Sequence, residues 1–350
     1  MEKIISIIVP CFNVEKYIDR CFQSLENQTI GIEKLEIIFV DDCSTDHTWE
    51  HLVAMEQKYP DSIAIIHCDE NGHQGKARNI GMEYASAPYL GFVDSDDWVE
   101  PDMFERMYEK ICSYNSDIVM CNSWRDTGKP EQVLSPRRVD GREDRQLLIN
   151  TMEKRKCLLA NSSIGFCVWN KLFKRELIMN NNILFPEQLA YEDHYFATLL
   201  YFYVEKVYIL EERLYHYFIN EQSTVMEDNA VHHFDILSVD TLLWDECEKR
   251  GFLRDYRKEM EYQFLSLCYL TSVKMLLLRF ENVPYDFFRK MQQEVLLRVP
   301  NYHDNQYVAE FVTDLYKIIL ELLDRDLTEP ELNAIFCSLR NYVKKGQLKV

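Results

Sequence analysis

Residues 89–98 restrict the fold of this chain more than any other stretch. The segment begins as an apolar run and ends abruptly at three carboxylates, Asp94, Asp96 and Asp97. A proline precedes it and another follows, which is typical of a buried strand that carries acidic groups to the edge of a sheet. Three carboxylates so close together repel one another unless a positive group lies between them.

A divalent cation is the simplest partner for these acids. Oxygen-only ligands favour Mg²⁺ or Mn²⁺ over zinc, and Mg²⁺ is usually held by one or two carboxylates together with substrate phosphates. The alternative is an acidic turn that caps a helix beginning near Pro101. The sequence around this segment has to decide between the two interpretations.

The composition describes a globular chain of about two domains. It has 350 residues, 47% of them hydrophobic, and a net charge of -19, which argues against nucleic acid as a partner because phosphate backbones select basic surfaces. A nucleotide held by a cation is still compatible with that charge. The sequence shows no signal peptide and no membrane-spanning run, and its cysteines have no paired or metal-ligand spacing, so we expect a cytoplasmic protein.

Apolar runs alternate with helix-like patterns in the first third of the chain. The runs at 4–9, 35–40 and 63–67 are nearly continuous, so they predict strands that are covered on both faces. This pattern predicts an α/β fold with a mostly parallel sheet and helices on both faces. We place Asn13 at the start of the first helix as its capping residue.

Polar or acidic loops follow three of the predicted strands, at 10–15, 41–46 and 94–97. In open parallel sheets, ligands bind beyond the carboxyl ends of the strands. The topology alone would therefore gather these loops on one edge of the sheet. This convergence predicts a binding site there, with the acids of residues 94–97 at its centre.

The character of the sequence changes beyond about residue 225. Strand patterns stop, and amphipathic helix patterns follow to the end of the chain. We therefore predict a catalytic domain over residues 1–224 and an all-helical domain over residues 225–350. The apolar stripes of these helices are candidates for a homodimer interface, or for peripheral association with the inner face of a membrane.

Four motifs occur in a fixed order along the chain, namely Val-Pro-Cys-Phe-Asn-Val-Glu, Val-Asp-Asp-Cys-Ser-Thr-Asp, the segment 71–81, and Val-Asp-Ser-Asp-Asp. Together they closely resemble the family 2 glycosyltransferases, which are nucleotide-sugar enzymes with the GT-A fold. The resemblance covers roughly the first two thirds of the chain. It implies a Rossmann-like GT-A sheet in the first domain and a nucleotide sugar as the donor substrate.

The resemblance assigns the nucleotide to residues from several loops. Pro10, Glu15 and Asp41 match positions that hold the uracil and ribose, and a carboxylate is suited to accept imide or hydroxyl hydrogens. Arg78 matches the family arginine that faces the diphosphate, since a guanidinium forms forked hydrogen bonds to phosphate oxygens. The alternative for Arg78 is an exposed helix charge.

The resemblance also assigns the metal and the base. Asp94 and Asp96 match the pair that binds the metal and diphosphate, with Asp96 as the direct ligand and Mn²⁺ or Mg²⁺ as the Lewis acid. Asp193 matches the base that deprotonates the acceptor hydroxyl. Its position at a helix start lowers its pKa, whereas burial and neighbouring acids raise it. A base and a metal on opposite sides of the sugar imply inversion at the anomeric carbon.

Three further residues are weaker candidates. Trp169 and Lys171 lie in a segment that resembles the family's acceptor region, where a tryptophan would stack on a sugar and a lysine would meet a phosphate. Trp169 fits the hydrophobic core equally well. His216 is a candidate for completing the metal shell, although a tyrosine-rich edge strand explains it more simply.

The sequence thus predicts a cytoplasmic, inverting glycosyltransferase that moves a sugar, most simply from a UDP-sugar, to a hydroxyl of a carbohydrate, polyol or lipid-linked acceptor in bacterial surface-polysaccharide assembly. One alternative is a nucleotidyltransferase, which would carry a glycine-rich basic loop where residues 10–13 are Pro-Cys-Phe-Asn. The other is a catalytically silent interaction protein that uses its helical tail. The second alternative is disfavoured because the candidate metal ligands Asp94 and Asp96 and the candidate base Asp193 are all present.

Overall fold

The computed structural model describes residues 2–129, 131–132, 134–219 and 228–344. The chain divides into two compact units, residues 1–158 with 163–221 and residues 159–162 with 222–350. The first unit contains the sheet, and the described part of the second is helical. The predicted domain boundary at residues 224 and 225 falls outside the described residues.

The first unit is built on one nine-stranded sheet. Its strands in chain order are β1 Ile5–Cys11, β2 Leu35–Asp41, β3 Ile63–His67, β4 Tyr89–Phe92, β5 Trp98–Val99, β6 Ile118–Asp126, β7 Arg145–Leu148, β8 Lys171–Lys174 and β9 Lys206–Phe218. Their spatial order is β3-β2-β1-β4-β8-β6-β9-β5, and β7 pairs with β9.

The half of the sheet from β3 to β4 is parallel, as the apolar runs predict. Every residue of β1 is buried, because helices cover both faces of this half. The other half is mixed, since β8 runs antiparallel to both β4 and β6. The four residues of β8 carry no signal for strand direction, which depends on how the preceding segment returns to the sheet.

Six α-helices lie in the described part of the first unit, and a seventh, α5, begins there and ends in residues 159–161 of the second unit. They are α1 Ile18–Glu26, α2 Thr48–Lys58, α3 His73–Tyr84, α4 Met103–Tyr114, α5 Met152–Asn161, α6 Arg175–Met179 and α7 Glu192–Tyr201. The prediction that Asn13 caps α1 is wrong. Asn13 has a φ of 52°, and its side-chain oxygen accepts a hydrogen bond from the Thr45 backbone N–H at 2.8 Å. The residue therefore joins two loops, and α1 begins later.

Strand β9 is longer than the sequence pattern indicates. The sequence predicts a short strand at 207–210, and residues 215–220 are aromatic and alternating, as in a tyrosine-rich edge strand. In the structure the strand is continuous because Glu211 and Glu212 are buried and ion-paired, Glu211 with Arg145 and Glu212 with Arg137. Ion pairs with Arg137, which lies in a loop, and with Arg145, which lies in β7, therefore allow the charged residues 211 and 212 to lie inside a continuous strand.

The second unit is helical in its described residues. It contains α8 Asp235–Lys249, α9 Leu253–Phe264, a π-helix at Leu265–Thr271, α10 Ser272–Arg279, α11 Tyr285–Arg298, α12 Gln306–Phe311, α13 Asp314–Glu321 and α14 Glu329–Lys344. Throughout the ranges that the structure describes, no helix is both long and apolar enough to span a bilayer.

Candidate active site

Two of the predicted loops are joined at the carboxyl edge of the sheet. The backbone N–H of Glu15 donates to Asp46 at 3.1 Å, and the Glu15 carboxylate accepts from the backbone N–H of His47 at 3.0 Å. The backbone N–H of Asp42 donates to the Cys11 carbonyl at 2.8 Å. Glu15 thus holds the loop after β1 against the loop after β2, in addition to lying where the sequence predicts it.

Asp41 is the last residue of β2 and has no exposed surface. One carboxylate oxygen, Oδ2, pairs with His67 Nδ1 at 2.7 Å. The other, Oδ1, is buried and has no hydrogen-bond partner among the described residues. Pro10 lies beside Asp41 as the penultimate residue of β1, paired in register with Val40. A buried acceptor without a donor is costly, so this oxygen is suited to receive an N–H or O–H from a ligand.

The acidic turn at residues 94–97 is fixed at its far end by β9. Asp97 accepts a hydrogen bond from the Tyr215 hydroxyl at 2.7 Å and another from the Phe218 backbone N–H at 2.7 Å. The Tyr215 hydroxyl also accepts from the backbone N–H of Asp94 at 3.1 Å. Burial, Asp94 and Asp96 together raise the pKa of Asp97. Asp97 therefore anchors the turn to β9.

Arg78 connects the acidic turn to the helix that carries the predicted base. Its Nη2 donates to Asp94 at 2.9 Å and to Gln74 at 3.2 Å, and its Nη1 donates to Glu192. The side chain of Arg78 is 3% exposed and that of Glu192 is 8% exposed. Burial alone would lower the pKa of Arg78. The negative charges of Glu192, Asp94 and Asp193 more than offset this effect and raise the pKa above its usual value, so the guanidinium remains charged.

This arrangement changes the expected role of Arg78. The resemblance implies a guanidinium that faces the diphosphate, whereas here its two terminal nitrogens bind carboxylates on two different elements. Its Nε is buried without a partner in the part of the chain that is described. We conclude that Arg78 orients Asp94 and Glu192, and that any contact with a phosphate stays a prediction.

Asp193 occupies the first turn of α7, as the sequence predicts. Burial raises its pKa to about 6, Glu192 raises it as well, and Arg78 acts in the opposite direction. Of the opposing effects that the sequence leaves undecided, burial and the neighbouring acid therefore outweigh the cations and the helix start. A carboxylate with this pKa is ionised at neutral pH and still basic enough to take a proton.

Asp96 is the acid of the turn whose carboxylate forms no ion pair among the described residues, although the Arg20 charge nearby lowers its pKa. In the described ranges, no cationic side chain lies within ion-pair distance of its carboxylate, whereas Asp94 pairs with Arg78. Burial and the Asp94 charge raise the pKa of Asp96 to about 6. A bound cation would stabilise the ionised form of such a carboxylate, and its oxygen ligands fit Mg²⁺ or Mn²⁺.

Among the described residues, the acidic turn included, no group of three or more His, Cys, Asp or Glu side chains is arranged to close around an ion. A cation at this turn would therefore need phosphate oxygens from a substrate in addition to one or two carboxylates. His216 does not extend the donor set. Its Nδ1 pairs with Asp126 at 2.9 Å and its Nε2 with Glu100 at 2.8 Å, so both ring nitrogens are in use.

Trp169 and Lys171 are less accessible than the resemblance implies. The Trp169 ring stacks on Tyr215 with centroids 4.4 Å apart and packs against the core, which favours the core interpretation. Lys171 is 2% exposed and donates to the Cys167 carbonyl and to Asn170. Burial lowers the pKa of Lys171 to about 8, partly offset by Cys167 and Asp193.

The roles of Glu192 and Tyr215 were not predicted from the sequence. Glu192 looked like a helix-start acid, and Tyr215 looked like one of several tyrosines in an edge strand. Their partners, Arg78 and Asp97, lie 114 and 118 residues away along the chain. Only the surplus of acids near residues 94–97 and 192–193, compared with the lone arginine at 78, hinted that these charges would share partners.

Comparison with known proteins identifies the family. The family model described as glycosyl transferase family 2 matches residues 6–180, which include the acidic turn and Arg78. The chain belongs to glycosyltransferase family 2. This assignment confirms the resemblance seen in the sequence motifs.

Relatives of this glycosyltransferase include bacterial enzymes of similar length. It is 31% identical over 281 residues to a putative glycosyltransferase, EpsH, of Bacillus subtilis, covering 77% of each chain. It is 36% identical over 230 residues to an uncharacterized glycosyltransferase, EpsJ, of the same organism, covering 64% of this chain and 63% of EpsJ. The match to the Staphylococcus aureus poly(ribitol-phosphate) beta-N-acetylglucosaminyltransferase TarS covers 75% of this chain but 43% of TarS.

The fold of this glycosyltransferase is shared with a solved relative. The structure of S. aureus TarS residues 1–349 in complex with UDP-GlcNAc superimposes with a TM-score of 0.70 at 20% identity, covering 99% of this chain and 92% of that one. The GT-A fold followed by a helical region is therefore confirmed. At this level of identity the likeness shows the fold and leaves the substrates open.

Proposed function

We propose that this enzyme is an inverting, metal-dependent glycosyltransferase that transfers a sugar from a UDP-sugar to a hydroxyl of a carbohydrate or polyol acceptor. The observation that carries the proposal is the placement of Arg78, which pairs with Asp94 on one side and with Glu192, the neighbour of Asp193, on the other. The candidate metal acids and the candidate base thus belong to one charged network at the carboxyl edge of the sheet.

The nucleoside end of the donor would lie against Asp41. Its buried Oδ1 is an acceptor without a donor among the described residues, and the imide N–H of uracil supplies such a donor. Pro10 and Glu15 border the same edge through β1 and the loop that follows it. The TarS structures in complex with UDP and UDP-GlcNAc support a uridine nucleotide for this chain as well.

The diphosphate end would lie over the acidic turn. Asp96 and Asp94 would hold Mn²⁺ or Mg²⁺, which when bound supplies Lewis-acid stabilisation of the charge on the departing diphosphate. Arg78 orients Asp94 by a hydrogen bond to its carboxylate, and Asp97 attaches the turn to β9. These residues would fix the position of the leaving group before the acceptor arrives.

Asp193 would act on the acceptor. Its carboxylate, with a pKa of about 6, takes the proton of the acceptor hydroxyl while that oxygen attacks the anomeric carbon. The new bond forms on the face opposite the departing diphosphate, so the configuration inverts. Glu192 cannot readily substitute as the base because it is ion-paired with Arg78.

The acceptor class follows from the relatives' printed activities. TarS is a poly(ribitol-phosphate) beta-N-acetylglucosaminyltransferase, and a Bacillus spizizenii relative, 30% identical over 226 residues, is a poly(ribitol-phosphate) beta-glucosyltransferase. Both act on a polyol-containing surface polymer. A related acceptor with free hydroxyls is the simplest proposal for this enzyme, within surface-polysaccharide assembly.

A screen of nucleotide sugars tests the donor proposal. The full chain is heated with UDP-, GDP-, ADP-, CMP- and dTDP-sugars, with and without Mn²⁺, and the melting temperature is recorded. The UDP-sugars with Mn²⁺ should give the largest rise, and Asp41→Ala should remove the preference for uracil because it removes the acceptor for the imide N–H. A larger rise with a guanosine or cytidine compound would contradict the assignment.

A further inference from the structure

Three rings, Trp98, His216 and Trp124, are stacked in one column beside the acidic turn, and Arg20 lies over Trp98 at the end of that column. Arg20 also contacts the Phe218 ring, which is tilted by 52° to that of Trp98 with the two centroids 6.2 Å apart. The Arg20 guanidinium carbon lies 4.4 Å from the Phe218 ring centroid and 3.8 Å from that of Trp98. The Trp98 and His216 rings stack with centroids 4.8 Å apart and planes 14° apart, and the His216 and Trp124 centroids are 4.5 Å apart. Helix α1 thus contributes one cation to a column otherwise built by the sheet.

Within this column Arg20 binds the backbone of the acidic turn. Its Nη2 donates a hydrogen bond to the carbonyl oxygen of Asp96 at 2.7 Å. The next residue, Asp97, is held by Tyr215 and by the Phe218 backbone. The main chain that follows the Asp96 side chain is therefore fixed at two points. The Asp96 carboxylate has no ion pair among the described residues, although the Arg20 charge nearby lowers its pKa against the effects of burial and of Asp94.

The form of the guanidinium explains why an arginine suits this place. A planar, delocalised cation can lie over one aromatic ring, contact a second one and still donate along its edge, whereas a lysine ammonium cannot do all three. The Nε of Arg20 is buried and has no hydrogen-bond partner in the described chain. Contact with the Trp98 and Phe218 rings, together with one edge hydrogen bond, therefore determines where Arg20 lies, and hence where the Asp96 carbonyl lies.

We propose that Arg20 is a positioning residue for the cation: it fixes the backbone of Asp96 so that the carboxylate meets the metal without rearrangement. The inference rests on the proposed function, since it concerns the same metal and diphosphate. Groups that hold a metal ligand without touching the metal commonly change affinity by about 10- to 100-fold when they are replaced. The competing explanation is that Arg20 only stabilises the packing of α1 on the sheet.

Metal binding separates these explanations. Free Mn²⁺ is titrated by electron paramagnetic resonance into the full chain with saturating UDP, for the wild type, Arg20→Lys and Arg20→Gln. Both variants should bind Mn²⁺ about tenfold more weakly, because neither side chain can contact the aromatic rings and donate to the Asp96 carbonyl as the guanidinium does. The affinity for UDP without metal should stay at the wild-type value, since Arg20 contacts the turn and not the loops after β1 and β2.

Arg155→Lys is the matched control. Arg155 is also a half-buried arginine of the first unit, and it donates to the carbonyls of Tyr201, Val204 and Ile149, none of which is in the acidic turn. Its replacement should lower the melting temperature and leave Mn²⁺ affinity unchanged. The control shows what loss of a purely structural arginine does in this assay.

The possible outcomes are distinguishable. If the Arg20 variants lose thermal stability but bind Mn²⁺ as the wild type does, Arg20 is a packing residue and the inference is wrong, while the proposed function stands. If the wild type binds UDP but shows no Mn²⁺ binding, the metal part of the proposed function fails together with the role of Arg20. Weaker Mn²⁺ binding confined to the Arg20 variants supports the inference.

Discussion

Arg78 and Glu192 form a buried ion pair that ties the middle of α3 to the first residue of α7. The same guanidinium holds Asp94 at 2.9 Å, so one residue orients an acid from each side of the proposed reaction. Such a link has two consequences. The positions of Asp94 and Glu192 depend on Arg78, and a change of charge at either acid should change the pKa of Asp193.

Replacing Arg78 should be costly for folding. Arg78→Met leaves Asp94 and Glu192 without their cation in a buried setting, so the free energy of unfolding should fall by about 3–5 kcal/mol. Urea denaturation measures this change. Lys76→Met is the control. Lys76 lies on the same helix as Arg78 and pairs with the exposed carboxylate of Glu70, so loss of this ion pair should barely change the free energy of unfolding. Equal stability of both variants would show that the buried network contributes little.

The reaction should lose its base below about pH 6. Only the carboxylate form of Asp193 accepts a proton, and its pKa is raised to about 6 by burial and by Glu192. The value of kcat/KM should therefore be flat above that pH and fall about tenfold per unit below it. A profile measured with donor, acceptor and saturating Mn²⁺ at constant ionic strength checks this, because saturation keeps the metal bound while Asp193 titrates. A profile without an acidic limb would mean that Asp193 does not act as the base.

Glu192 should tune that acidic limb. Glu192→Gln removes a neighbouring negative charge and leaves Arg78 free to stabilise the ionised Asp193, so both effects lower the pKa of Asp193. The acidic limb of the kcat/KM profile should move to lower pH than in the wild type. A limb that stays in place would indicate that another group controls it, and a limb that moves upward would contradict the arrangement of charges described here.

Metal affinity should rise with pH up to about pH 6. Burial and Asp94 raise the pKa of Asp96 to about 6, and the cation requires the ionised form. Below that pH, Mn²⁺ affinity should drop about tenfold per unit, and binding should release protons. Calorimetry in buffers of different ionisation enthalpy measures both quantities. Binding without proton release at pH 5 would exclude Asp96 as the ligand.

Tyr215 should stabilise the acidic turn. Tyr215→Phe removes the hydroxyl shared by Asp97 and the Asp94 backbone and leaves a buried carboxylate short of a donor. The free energy of unfolding should fall by about 1–3 kcal/mol. Thermal or urea unfolding measures the loss, with Tyr84→Phe at an exposed position as the control. If the two variants unfold alike, the hydroxyl does not anchor the turn.

Local patterns were sufficient for the parallel half of the sheet and for the acids at its edge. The uninterrupted apolar runs of β1 and β2 predict strands buried on both faces, and residues 94–97 and 192–193 lie on the elements that the sequence assigns to them. These features depend on periodicity over a few residues. They are therefore readable from the chain alone.

Long-range pairing decided the rest. The antiparallel direction of β8, the engagement of Arg78 by Glu192 and the two carboxylates on His216 all involve partners far apart in sequence. Arg20 looks like a surface charge on an amphipathic helix, and only the folded chain shows its contacts with the Trp98 and Phe218 rings. Sequence patterns give the type of a side chain and its element but not the opposing charge that it meets.

The comparison of two variants in a single assay tests the central claim that a cation on the acidic turn anchors the nucleotide across from Asp193. UDP affinity with and without Mn²⁺ is measured together with sugar transfer, for the wild type, Asp96→Ala and Asp193→Asn. We predict that Asp96→Ala loses the Mn²⁺ enhancement of UDP binding, and that Asp193→Asn keeps the enhancement but loses transfer. Transfer by Asp193→Asn at the wild-type rate, or full Mn²⁺ enhancement in Asp96→Ala, would contradict the claim.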